Sequence, residues 1–272
     1  MRKRLDMSGR VAEREAAKTG KSLSEQVVVV TGAASGIGRE TARAFCRNGA
    51  RIVALDINEQ GLAALNEELD CRTYPCDVTD PQSVDAVFRS IADCGLTIDI
   101  LVSNAGAAHQ GPIGDVPPNE LRRSFDLNFF GHQNVCQAAL RLFRMQGRGG
   151  TFLFNISNQS INPGKHFGPY GIPKAATLAL MKQYALDHAD DGIRANGVNA
   201  GRIRSELMTD RMIEERAAAR GVTPDQYMSG NLLGLEVFAS DVADAFVHLA
   251  LMDKVNATVL TVDGGAMATS LR

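Results

Sequence analysis

The sequence predicts an α/β fold, a single-domain Rossmann-type doubly wound parallel sheet of about seven strands with helices on both faces. Three observations predict it. From Gln26 onward, short β-branched runs alternate with amphipathic stretches of helical period. The first strand candidate opens on a continuous apolar run, Val27–Val30, rather than an alternating one, as in strands buried on both faces. It runs straight into a glycine-rich turn and then a helical pattern, the opening of a nucleotide-binding βαβ unit.

The first strand, 27–31, opens with four consecutive valines, and a helical pattern follows at 37–48. A strand at 51–56 ends on Asp56. Helix 59–69, strand 72–76, helix 81–93 and strand 98–103 continue the alternation. A long helical pattern at 119–145 leads to a strand at 151–156, and another at 170–189 leads to a strand at 193–199. Residues 202–235 break the rhythm: they are polar, rich in Arg and Met and helical in pattern, and are expected to form a mobile helical lid over the substrate. Helix 241–252 and strand 258–262 close the chain. No repeat, low-complexity tract or linker divides it, so 26–272 is read as one domain.

With 272 residues, 44% of them hydrophobic, the chain can bury a large core, and a net charge of −2 gives no reason to expect nucleic acid or an anionic membrane as partner. Apolar runs such as Val27–Val30 are strand-sized, far below the roughly 18 residues that span a bilayer. Residues 1–25 differ from the rest, with seven Lys/Arg and four Asp/Glu, and leave the remainder at −5. They are read as a peripheral N-terminal extension or oligomer contact with a short helix at 11–18. Met1-Arg2-Lys3-Arg4 lacks a following apolar segment, so a secretory signal is not expected. Five cysteines without a C-x-x-C or nearby histidine pairs read as reduced thiols of a cytoplasmic protein, with no metal site.

In Thr31-Gly32-Ala33-Ala34-Ser35-Gly36-Ile37-Gly38, glycines let the backbone turn sharply and approach a pyrophosphate, and the helix N-terminus offers free N–H groups. Asp56 stands 24 residues after Gly32, where a carboxylate can accept hydrogen bonds from both adenosine ribose hydroxyls and repel a 2′-phosphate. Ser35 occupies a place where a cation could have bound that phosphate, so NAD is expected over NADP. Tyr170 and Lys174, four apart in Gly168-Pro169-Tyr170-Gly171-Ile172-Pro173-Lys174, would share one helix face, and a fixed cation there would draw the tyrosine pKa down towards working pH.

Together these segments resemble the short-chain dehydrogenase/reductase family, from about Gln26 to the end. The resemblance implies that the glycine loop (Gly32, Ser35, Gly36, Ile37, Gly38), Asp56 with Ile57, and Asp77 with Val78 hold the cofactor. It assigns Asn104-Ala105-Gly106 to the floor beneath the cofactor, Ile203 and Ser205 to the nicotinamide carboxamide, and Val262-Asp263-Gly264-Gly265 to the closing segment. Tyr170 is then general base in alcohol oxidation and acid in carbonyl reduction. Lys174 tunes it and holds the nicotinamide ribose, and Asn128 continues a water-linked proton path. By eye Asn158 takes the place of the family's serine, but counting from Gly150 and from Tyr170 places it at Ser157, with Ser160 as the alternative.

Two departures stand out: Pro173 inside the tyrosine–lysine pair, tolerable if the helix starts near Tyr170, and Ala200-Gly201 in place of Pro-Gly. The run 162–170 and the ending Asp263-Gly264-Gly265-Ala266-Met267-Ala268 look like the dehydrogenase part of rhamnulose-phosphate aldolase/alcohol dehydrogenases. The implied activity is an oxidoreductase acting on CH–OH groups of sugar-derived or small hydroxy compounds. A 3-ketoacyl or other lipid carbonyl reductase, or a non-catalytic NAD-binding sensor or scaffold, are the competing readings. Arg202 and Arg204 suit an anionic substrate group or are equally solvated charges, and His109, His166 and Tyr227 could line the substrate mouth. Helices 119–145 and 170–189 carry surplus apolar residues (Ala138, Ala139, Leu140; Ala175, Ala176, Leu178, Leu180), which with the resemblance predicts a homotetramer.

Overall fold

The computed structural model describes residues 22–205 and 208–270. The expected extension at 1–25 therefore lies, up to residue 21 and including its helix at 11–18, outside the described residues. The strands are Val27–Thr31 (β1), Arg51–Asp56 (β2), Arg72–Pro75 (β3), Ile100–Ser103 (β4), Gly150–Asn155 (β5), Ile193–Ala200 (β6) and Val259–Val262 (β7). They form one parallel sheet in the order β3-β2-β1-β4-β5-β6-β7. The helices are Gly36–Arg47 (α1), Glu59–Leu69 (α2), Pro81–Asp93 (α3), Pro118–Phe125 (α4), Gly131–Gln146 (α5) and Gly168–Asp187 (α6). Asp210–Ala218 (α7), Pro224–Met228 (α8), Ala239–Leu251 (α9) and Ala266–Ser270 (α10) complete the set.

The four valines of β1 divide between two cores because successive side chains point to opposite faces of a sheet. Val28 and Val30, with Ile52, Ala54 and Leu153, pack on Phe45 of α1 and Phe246 of α9. Val27 and Val29, with Val53, Leu101 and Phe152, pack on Ile91 of α3, Phe143 of α5 and Tyr184 of α6. Phe152 anchors this second layer, its ring centroid 5.2 Å from that of Phe143 and 5.1 Å from that of Tyr184. Local signals set the helix starts. Asn58 caps α2 by accepting from Gly61 N at 3.0 Å, and Asp80 caps α3 by accepting from Gln82 N at 2.9 Å, with Pro81 in the first turn.

Four differences from the sequence reading have physical causes. Ile98 is not in the β4 ladder because the Gln146 side chain takes both its backbone groups, Ile98 N donating to Oε1 and Nε2 donating to Ile98 O, each at 2.8 Å. The single helix expected at 119–145 is α4 and α5 joined by a π-helical turn, Asp126–Phe130, which carries Asn128. Ala138, Ala139 and Leu140 are not surplus: all three are buried in the sheet-facing core of this same chain. Finally, α6 begins at Gly168, which places Pro173 in its second turn rather than its first. Proline there leaves the carbonyl of Pro169 without its helical donor, and the buried Ser124 hydroxyl supplies one at 2.7 Å.

Within 202–235, the described residues form α7 and α8 around a small core, Ile213, Ala217, Tyr227 and Met228. Among the described residues no helix is long and apolar enough to cross a membrane.

Phe45 is fully buried where α1 meets α9 and the sheet. Phe45→Ala should cost about 3–5 kcal/mol and lower the melting temperature by on the order of 10 °C. A circular-dichroism melt checks this.

Candidate active site

In an open parallel sheet, ligands bind where strand order reverses, outside the carboxyl ends. Here that point lies between β1 and β4, which pair although β2 and β3 lie on the other side of β1. The glycine loop follows β1, Asp56 ends β2, Asn104 follows β4, Ser157 follows β5 and Ser205 follows β6.

The loop is built for close approach. Gly32 and Gly36 have φ of 66° and 50°, a region L side chains rarely adopt. Gly38 is needed for space, since a Cβ there would lie 1.9 Å from the Gly32 carbonyl oxygen. Ser35 at the N-cap of α1 makes no side-chain cap bond, which leaves first-turn N–H groups for a ligand. The Asp56 carboxylate is held beside the loop, accepting from Ala34 N at 3.0 Å and Asn58 N at 2.9 Å. Asp77 is turned inward on itself, accepting from Thr79 N at 2.9 Å and Thr79 Oγ1 at 2.7 Å.

A cleft of about 840 Å³ collects almost the whole predicted cofactor set. Its walls include Gly32, Ser35, Gly36 and Ile37 from the loop, and Asp56, Ile57, Asp77 and Val78 from the β2 and β3 ends. Asn104, Ala105 and Gly106 also line it, as do Tyr170, Lys174 and Ser205. Gly38 acts from behind, against Gly32. Ile203 is buried, pairs with Val237 in an isolated bridge and lines a second cavity instead. Val262 and Gly264 do not line the cleft, and Asp263 lies in the second cavity.

That second cavity, about 420 Å³, opens beyond Ser157 and is bounded by the 202–235 segment, including Met208, Met212 and Tyr227. Tyr170 stands in the wall of both spaces. The Ser157 hydroxyl hydrogen-bonds the Tyr170 side chain and accepts from Gln159 N at 3.2 Å. Asn158 is committed elsewhere, its Nδ2 donating to Asp263 Oδ2 at 3.0 Å, and Ser160 turns its hydroxyl to the Ser157 carbonyl at 2.6 Å. Of the three candidates for the serine's place, only Ser157 meets the tyrosine.

Lys174 Nζ donates to the Asn155 carbonyl at 3.0 Å and meets His132 Nε2 at 3.2 Å. His132, fully enclosed, sets its Nδ1 2.6 Å from Ser103 Oγ. With Lys174 donating to Nε2, the ring is the neutral tautomer that donates from Nδ1 to the serine. This buried group was missed in the sequence, although Asn128, His132 and Cys136 recur every four residues and so mark one helix face. Asn128 does not touch Lys174. Its Nδ2 donates to the Ala107 carbonyl at 2.9 Å and to Ser124 Oγ at 3.1 Å, while its Oδ1 accepts from Ala107 N at 3.2 Å. Asn128 and Lys174 meet only across Gly106, where a Cβ would fall 2.8 Å from Asn128 Oδ1 and 3.4 Å from Lys174 Nζ. Of the expected mouth residues, Tyr227 lines the second cavity, His109 lines the cofactor cleft, and His166 lines neither.

A family profile described as Enoyl-(Acyl carrier protein) reductase matches residues 32–267. The chain belongs to the short-chain dehydrogenase/reductase family. It is 33% identical over 244 residues to the 2-keto-3-deoxy-L-fuconate dehydrogenase of Xanthomonas campestris pv. campestris, covering 87% of this chain and 78% of that protein. It is 30% identical over 264 residues to the uncharacterized oxidoreductase YuxG of Bacillus subtilis, covering 92% of this chain but only 38% of that protein. Among solved structures, the 3-ketoacyl-(acyl-carrier-protein) reductase from Brucella melitensis complexed with NADH superposes with a TM-score of 0.81 at 25% identity, over 90% of this chain and 100% of that one. This short-chain dehydrogenase/reductase is thus an oxidoreductase of CH–OH groups that uses a nicotinamide cofactor, and the glycine cradle, free helix N-terminus and Asp56 fit one.

The electrostatics of its tyrosine–lysine pair correct the sequence reading. Burial pushes the Tyr170 hydroxyl above its ordinary value, opposed by the Ser157 hydrogen bond, so the phenol is not drawn down. Burial likewise lowers Lys174 to about 7, with Nζ 5.9 Å from the Tyr170 ring centroid. His132 is held well below 6.5, by burial first and by Lys174 second. A buried lysine whose folded pKa lies below its ordinary value of 10.5 binds fewer protons folded than unfolded between about 7 and 10.5. Stability therefore rises with pH across that window, and below about 7 the burial cost is present in full. Relative to Lys174→Met, the unfolding free energy of the wild type should climb by up to about 1.4 kcal/mol per pH unit there. Urea denaturation of both proteins across the window tests it, and parallel curves would count against the depressed lysine.

Proposed function

We propose that the chain oxidises a secondary alcohol of a sugar-derived or small hydroxy compound, or reduces the matching carbonyl, with NAD preferred over NADP. The position of Tyr170 in the wall shared by the cofactor cleft and the second cavity carries this reading. When bound, the nicotinamide accepts or supplies hydride at C4. Tyr170 takes the substrate hydroxyl proton in oxidation and returns it in reduction, and Ser157 orients the substrate oxygen beside it. Lys174 reaches both Asn155 and the cleft, so it can bind the ribose and, when protonated, favour the phenolate. Asn128 fixes Ala107 and faces Lys174 across Gly106, where the expected water-linked proton path would begin. The segment at 202–235 serves as a substrate lid, since it closes one side of the second cavity.

Asp56 supports NAD, because its carboxylate stands where a 2′-phosphate would be repelled. The fuconate-derivative dehydrogenase supports a sugar-derived substrate. The runs at 162–170 and 263–268 support a likeness to the dehydrogenase part of rhamnulose-phosphate aldolase/alcohol dehydrogenases, and the Bacillus subtilis relative is itself longer than the matched region. A homotetramer is supported by large apolar side chains left exposed on and beside α5 and α6, including Met145 and Leu186 at 78% and 71% exposure.

Tyr170→Phe should lower turnover by roughly 10²–10⁴-fold while NAD binding, followed by calorimetry, stays near wild type. Undiminished turnover on the best alcohol of a sugar, polyol and hydroxy-acid panel would remove Tyr170 from the mechanism. Asp56→Ser should raise kcat/KM for NADP relative to NAD by about tenfold or more, measured with each cofactor on the same alcohol.

A further inference from the structure

The second cavity is unusual in charge. Lys165, Arg202, Arg216 and Arg220 line it, and among the described residues Asp263 is its one carboxylate. Among the described residues Asp263 makes no ion pair with any of them. Its oxygens accept from Asn158 Nδ2 at 3.0 Å, from Gly265 N at 2.8 Å and from Met267 N at 2.8 Å. Arg204, by contrast, is paired outside the cavity, with Asp210 at 2.7 Å and Glu236 at 3.1 Å. The two arginines singled out in the sequence therefore separate: Arg204 is a structural ion pair and Arg202 faces the cavity.

Within the cavity the guanidinium groups have different commitments. Arg202 is a strut, with Nη1 on the Tyr227 carbonyl and Nη2 on the Gly230 carbonyl at 2.6 Å. Arg216 lies over the Phe167 ring at 4.4 Å from its centroid, and its Nη2 is shielded from solvent with no hydrogen-bond partner. Arg220 donates to the Arg216 carbonyl at 3.2 Å and shares the Tyr227 ring with Arg202, their guanidinium carbons 5.1 and 4.8 Å from its centroid. A shielded charged donor left unpaired is costly, and so is bringing like charges to one ring. Both costs are relieved by one oxyanion placed between these groups, and the planar guanidinium fork suits a carboxylate or phosphate.

We infer that the substrate carries an oxyanionic group, a carboxylate or a phosphate ester, which Arg216 binds with Arg220 beside it while the carbinol end meets Ser157 and Tyr170. This rests on the reading of the second cavity as the substrate site and names the substrate class that site takes. Phe167 and Tyr227 set the planes of the arginines, and Arg202 holds Tyr227 in place.

The test uses the intact protein with NAD and three probe series matched in carbon number: aldonates, sugar phosphates and neutral alditols. Each series is followed both by NADH formation and by calorimetric binding. At least one oxyanion series should bind and turn over, and neutral alditols should be roughly 10–100-fold poorer. Preference for aldonates or for phosphates decides which oxyanion it is. Arg216→Met should raise KM for the preferred probe by roughly 10–100-fold with a much smaller change in kcat, and Arg216→Lys should restore part of it. A thermal melt shows whether Arg216→Met still folds, and Arg220→Met provides a second, more exposed probe of the same group. A neutral alditol as the best substrate, an unchanged KM in folded Arg216→Met, or no binding by either oxyanion series overturns the inference. Tyr170→Phe separates the two readings: inactivity there beside a neutral best substrate leaves the proton-transfer assignment standing and removes only the anion.

Discussion

Three adjacent strands end in side chains that bond one another, and the site hangs from that seam. Asn104, after β4, donates its backbone N–H to the Thr31 hydroxyl at 2.9 Å and its Nδ2 to the Thr31 carbonyl at 3.0 Å. Asn155, ending β5, donates to Asn104 Oδ1 at 2.7 Å, and the Asn155 carbonyl then accepts Lys174 Nζ at 3.0 Å. One continuous hydrogen-bonded path thus runs from the root of the glycine loop to the lysine beside Tyr170. Parallel pairing sets the strand ends roughly level, and the part-buried seam holds them there.

The pair at the end of that path rests in a weakly charged state. Burial raises Tyr170 and lowers Lys174, so the protein alone favours phenol and a readily deprotonated amine. His132 cannot offset this as a cation, because it is held neutral beneath them. The positive charge of this region lies further out, on the arginines around the second cavity. In the proposed mechanism, proton transfer and substrate attraction thus fall to different groups, and a change to one need not disturb the other.

Most of this was legible in the chain. The valine run, the glycine loop and Asp56 announced a nucleotide site because each has a local, short-range reason for its residue types. Counting pointed to Ser157, with Ser160 as the alternative, and it is Ser157 that neighbours the Tyr170 hydroxyl. What escaped depends on tertiary neighbours. His132 carries no local signature beyond its spacing, and its partners lie on β4 and α6. Arg216 and Arg220 fall in the polar, Arg-rich 202–235 stretch and carried no signal of their own; the stacking of Arg216 on Phe167 and their place in the cavity wall appear only in the packed chain. The alanines and leucine of α5 were misread as a leftover face because a helix buried on one broad side shows apolar residues over a wide arc.

Pro173 and Ser124 carry a consequence for how the molecule assembles. The first turns of α6 cannot satisfy their own backbone, since the Pro169 carbonyl waits for a hydroxyl from α4, and that hydroxyl is itself an acceptor for Asn128 on the π-helical turn. A helix normally propagates on local bonds, but this one is completed by its neighbour. The stretch bearing Tyr170 is therefore expected to become ordered as the two helices dock, together with the loop at Ala107 that Asn128 holds.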